Sequence, residues 1–178
     1  MVTIILDSDF GFPLSSIVAI AFQCIVVGFV AGGGKRSRMF SKEFMEKHFK
    51  EAHLEAFGTN PPEHGYPDMG NGRYAEKLSY KDWYDFNNGQ RAHYNFIEQV
   101  ASILFLILVA GLSLPWLAGA FGWAYFVGRV LYTLGYLKTG PKGRLVGALL
   151  QDVALLALLV LAIIAVVRVW KGDNELGI

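Results

Sequence analysis

Apolar residues along this chain gather into four long runs, at 14–31, 100–117, 118–137 and 145–167. The first is interrupted only by Ser15, Ser16 and Gln23, and the second carries no charge, with Pro115 near its end. The third contains one arginine, Arg129, and the fourth contains Gln151 and Asp152. A helix needs about 20 residues to cross a bilayer core, and in lipid its backbone must be satisfied internally. The pattern predicts an all-α integral membrane protein, a four-helix bundle in one domain. Its membrane helices fall at about 14–31, 90–117, 118–138 and 145–170, with a polar loop at about 33–89.

Within that loop, Ser41 can cap a helix running to about Phe57, with Gly58 ending it. Phe44, Met45, Phe49 and Phe57 give it an incomplete apolar face, which suits a helix lying on the membrane or on its own subunit. A solvated loop helix fits the same pattern. The Pro- and Gly-rich stretch NPPEHGYPDMGNG predicts turns without regular structure. Trp83, Tyr84 and Phe86 bring aromatic residues to the interface before the second membrane helix. Gly28 and Gly32, four apart, suit close helix packing in a membrane.

Composition sharpens this reading. Hydrophobic residues make up 53% of the 178 and charged residues only 17%, a membrane-like balance. Sixteen Lys and Arg against fifteen Asp and Glu give no basic surface for nucleic acid. Asp7 and Asp9 stand where a cleavable signal peptide has its basic segment, so none is expected. The lone Cys24 excludes an intrachain disulfide and reads as core filling. His48, His53 and His64 have no metal-ligand spacing, so no metal is expected. Residues 35–81 hold nine Lys and Arg, and Lys138, Lys142 and Arg144 follow the third run. Basic loops stay on the cytosolic side, so both loops share that side and both termini lie opposite.

Two polar stripes enter this apolar frame. Arg91, Asn95 and Glu98, at spacings of four and seven, share one helical face. A cation, an amide and an anion entering a bilayer are costly unless something occupies them. A small ligand carrying both charge signs would do so. Arg129, Tyr132 and Tyr136 form the second stripe. Arg129 needs an anion, from Glu98, Asp152 or a ligand carboxylate, and a structural ion pair explains it as well as a ligand does. Both stripes lie toward the basic-loop end, which favours a single pocket there.

The segments QRAHYNFIEQ at 90–99 and GRVLYTLGYLKTGPKGRLVGAL at 128–149 resemble the MAPEG family, membrane-associated proteins in eicosanoid and glutathione metabolism. The nearest likeness is to its microsomal glutathione S-transferase type 3 group. The resemblance implies a homotrimer that binds glutathione, as co-substrate, between neighbouring subunits near the cytosolic face. It assigns glutathione binding to Arg91, Asn95 and Glu98, with His93 as a polar contact, and to Arg129, Tyr132 and Tyr136. It assigns thiolate stabilisation to Arg144, although some members place that arginine where Gly143 stands. Lys35, Arg36 or Arg38 would add a basic contact from the adjacent subunit.

The implied activity is conjugation of glutathione to lipophilic electrophiles, or reduction of lipid hydroperoxides, in the endoplasmic reticulum or mitochondrial membrane. Gln99 replaces a tyrosine of the leukotriene-conjugating members, and the first loop is much longer than theirs. Two other readings stand beside this one: a non-enzymatic lipid-binding member, and an accessory structural subunit of a larger membrane complex.

Overall fold

The computed structural model describes residues 8–171; Asp7 and the N-terminal tail used above for topology lie outside them. Among the described residues the secondary structure is entirely helical. Helix α1 (Gly11–Val27), a π-helical stretch (Gly28–Gly33) and α2 (Gly34–Met39) form one continuous rod with the opening turn, Ser8–Met39. At 1.5 Å per residue its 32 residues reach about 48 Å, past both ends of the expected span. Two of its polar residues turn inward: Ser16 donates to the Pro13 carbonyl at 2.8 Å and Gln23 to the Phe126 carbonyl at 3.1 Å.

The loop is folded. Helix α3 (Lys42–Phe57) begins at Ser41, whose hydroxyl accepts from the Phe44 amide, and ends at Gly58 with φ +68°, as the pattern predicts. The backbone amide of Glu43 and the Ser41 hydroxyl hold the Glu43 carboxyl below the usual carboxylate range. The turn-rich stretch is irregular but anchored. Buried Asp68 accepts from the amides of Gly70, Gly72 and Ala75. Trp83 and Asn87 both donate to the Gly70 carbonyl. Met39, Phe40, Met45, Ala75 and Phe86 close a small apolar core beneath it. The result is a folded cap held to α2 and to the start of the long helix that follows, although most of α3 stays exposed, as in a solvated loop helix.

Helix α4 (Tyr80–Gly111) starts ten residues before the expected bound at 90 and stops short of 117. Ser79 caps it by accepting from the Asp82 amide and donating to the Asp82 carboxylate. The chain turns at 112–114, and Pro115 opens α5 (Pro115–Thr139). Proline suits the first turn of a helix, where no amide donor is needed, so the apolar run breaks before it. Gly140, at φ +73°, leads through a short turn into α6 (Leu145–Trp170).

Helices α1, α4, α5 and α6 pack together around Ile20, Phe96, Ile103, Ile107, Tyr125 and Leu158. Glycines set the closest approaches. A Cβ on Gly28 would lie 2.8 Å from the His93 imidazole, and one on Gly89 would strike the Ala31 carbonyl. Gly28 and Gly89 therefore seat α4 against the π-helical stretch, whereas a Cβ on Gly32 would meet only ordinary contacts with Gln90 and His93. Three stretches, Ser8–Met39, Tyr80–Gly111 and Leu145–Trp170, are long and apolar enough to cross a membrane. Their outer faces present Val18 and Phe22 on α1, Phe29 on the π-helical stretch, and Leu149, Leu156 and Ile163 on α6. The protein is an integral membrane protein. Helix α5 is not among those three by composition, since Gly, Tyr, Trp and Arg129 dilute its apolar residues.

Candidate functional site

Where α4, α5 and the start of α6 meet, the two polar stripes come into contact. Asn95 Nδ2 donates to Tyr132 Oη at 2.6 Å, and Arg144 Nη1 donates to the same oxygen at 3.0 Å. The Arg144 guanidinium lies 5.7 Å from the Tyr132 ring centre and 5.5 Å from that of Tyr136. Those two rings are themselves 5.7 Å apart. Glycine puts Arg144 there: Gly135 and Gly143 approach so closely that a Cβ on either would strike the other's carbonyl. The α5–α6 connection is thereby drawn onto α5. Gly143 is spent in this backbone contact, and the arginine beside it reaches the tyrosines.

Arg91 and Glu98 are exposed on the same side of α4 and have no hydrogen bond or ion pair among the described residues. Arg91 is close enough for its charge to act on Tyr136. The corner thus offers two cations, an anion, an amide and two phenols, with Arg91 and Glu98 unspent.

Arg129 does not face this opening, and among the described residues no carboxylate bonds it. It is fully buried, sandwiched between the rings of Phe96 at 4.2 Å and Tyr132 at 4.4 Å. Its Nη1 donates to Gln151 Oε1 and its Nη2 to the Ala92 carbonyl, both at 3.1 Å. An amide, a carbonyl and two aromatic faces hold the charge in place of a carboxylate. Asp152, the other expected partner, is exposed and accepts from Gln151 Nε2 at 3.4 Å. Gln99 accepts from the Tyr125 hydroxyl at 3.1 Å and from Gln151 at 3.5 Å. Gln151, Gln99 and Tyr125 are thus the polar residues that sequence reasoning missed. The signal was an amide, Gln151, in the most apolar run.

His93 belongs elsewhere. Two residues before Asn95, it points about 200° around α4. It lines a separate cleft of about 480 Å³ with Gly28, Gly32, Arg36, Tyr66 and Gln90. The basic residues after α1 are also committed within the chain. Lys35 pairs with the Asp85 carboxylate, and Arg38 bonds it at 2.7 Å. Arg36 is buried in the cap, donating to the carbonyls of His64 and Gly65 with its guanidinium 4.4 Å from the Tyr66 ring centre.

The described residues form an all-helical membrane protein with a phenol and guanidinium corner where α4, α5 and the start of α6 meet. The MAPEG family model matches residues 14–164, and the chain belongs to that family. Membership supports a role connected with glutathione or eicosanoid metabolism in general.

Proposed function

We propose that the protein is a membrane-bound glutathione transferase, with glutathione peroxidase activity toward lipid hydroperoxides. The observation that carries this reading is the meeting of Arg144 and Asn95 on the Tyr132 hydroxyl, beside Arg91 and Glu98, which have no partner among the described residues. Glutathione carries two carboxylates, one ammonium and a thiol. Arg91 would take a carboxylate, Glu98 the ammonium, and the Arg144 corner the sulfur. A thiol of pKa about 8.5 is mostly protonated at neutral pH, and a neighbouring guanidinium favours the thiolate. An apolar electrophile or hydroperoxide reaches the sulfur from the bilayer, while glutathione enters from the aqueous side.

In this reading α5 crosses the membrane with the other three helices, and the active form is a homotrimer. The His93 cleft and the Asn95 corner lie on different faces of α4. A ring of copies can therefore bring the cleft of one against the corner of the next. His93 then contacts glutathione from a neighbour, which explains why it stands apart within one chain. The membrane is that of the endoplasmic reticulum or the mitochondrion.

The folded cap favours one rival, an accessory subunit recruited through that surface. Purification in mild detergent separates the two. A free trimer with glutathione-dependent turnover supports the enzyme. A single inert copy bound among other subunits supports the scaffold.

A further inference from the structure

The cap carries a thioether whose two donors would suit a better acceptor. Met69 lies where two hollows meet, the cleft of about 480 Å³ beside His93 and another of about 320 Å³ lined by Pro67, Asn71 and Arg73. It is 46% exposed, whereas Met39 and Met45 are buried in the apolar core of the cap. Its sulfur accepts from Tyr94 Oη at 3.4 Å and from Arg36 Nη2 at 3.6 Å. A thioether is a weak acceptor. Arg36 is nonetheless buried, and among the described residues no carboxylate pairs with it. Its Nη1 is spent on the carbonyls of His64 and Gly65, so the sulfur is what Nη2 has within the described residues. A buried guanidinium left with a weak acceptor gains from a stronger one.

We propose that Met69 is an oxidation site for hydroperoxides, and that its sulfoxide oxygen takes over the hydrogen bonds of Tyr94 and Arg36, fastening the cap to α4 and α2. A sulfur lone pair attacks the terminal peroxide oxygen, so that an S–O bond forms as the O–O bond breaks. The sulfur loses two electrons, and the other oxygen leaves with the peroxide's proton as an alcohol or water. The bonds to the thioether are weak, so both donors are free to move to the new oxygen, a far stronger acceptor. In a packed core a sulfoxide disrupts, because it makes an apolar side chain polar. Here the exposed sulfur has room for the oxygen and donors already in place, so oxidation tightens the cap instead. The step needs nothing from the glutathione corner.

The test treats the purified full-length protein in mild detergent with hydrogen peroxide and follows each methionine by peptide mass spectrometry. Met69 should gain one oxygen well before Met39 and Met45. Limited proteolysis should then cut the stretch between Gly58 and Tyr74 about tenfold more slowly, because a hydrogen bond from a charged donor lowers the open population. In Tyr94→Phe, Met69 should still take the oxygen, but cleavage should slow only about threefold. Met69→Leu should show no slowing, which separates this effect from oxidation of Cys24. Met69 oxidising no faster than Met39 and Met45 would overturn the proposal. So would cleavage that is unchanged or faster after oxidation, or that slows as much in Tyr94→Phe or Met69→Leu as in the wild-type chain.

Discussion

Asn95 and Tyr132, 37 residues apart, are joined by a 2.6 Å hydrogen bond that locks α4 to α5 at the depth where both helices carry polar residues. The connection into α6 completes the contact through Arg144, at 3.0 Å from the same hydroxyl. Each of the three residues leans on one oxygen, so changes at any of them should read out at the same place.

Arg144→Ala should leave glutathione binding largely intact but remove the shift of its thiol toward thiolate. Ultraviolet absorbance of the bound ligand reports this. An unchanged spectrum would deny Arg144 its role.

Glu98 is exposed and unpaired among the described residues, which leaves it open to an ammonium. Glu98→Gln should weaken glutathione binding by on the order of 1–3 kcal/mol, since a charged hydrogen bond is lost. Calorimetric titration measures it, and equal affinity would move the ammonium elsewhere.

Arg129 should behave differently from both. Arg129→Met removes a buried cation and strands Gln151 Oε1, while the Ala92 carbonyl keeps its helical partner, the Phe96 amide. The expected cost is roughly 1–3 kcal/mol of stability for the stranded amide oxygen, seen as a lower unfolding temperature in detergent. A variant of full stability that has lost glutathione would show that Arg129 touches the ligand directly.

Legibility in the sequence followed the range of the interactions. Ser41, Gly58 and the apolar runs act within a few residues, so their helices can be read directly. The stripes at 91, 95, 98 and 129, 132, 136 were legible as faces, and the Asn95–Tyr132 bond brings them together. The early start of α4 was also legible, because Ser79 and Asp82 form a cap of the familiar Ser-x-x-acid spacing; the apolar run drew attention downstream. What could not be read is contact across the fold. Arg129 finds its partners on α6 and on the α4 backbone, and no local spacing encodes that. Arg36 likewise gains its role only because the loop folds back over it.

The cap supplies a prediction of its own. Arg36 bonds the carbonyls of His64 and Gly65, at 3.3 and 3.4 Å, and stacks on Tyr66. Arg36→Ala should free that stretch and make it sensitive to limited proteolysis, while the helical bundle stays intact by circular dichroism. Unaltered cleavage would mean that Asp68 and the Phe40 core hold the cap alone.

The central claim is that the polar corner of α4, α5 and α6 exists to hold glutathione. Titrating glutathione into the purified protein in mild detergent tests it most directly. The account predicts saturable binding that weakens in Glu98→Gln and persists in Arg144→Ala. Heat and absorbance that never saturate, in protein of intact helical fold, would contradict it.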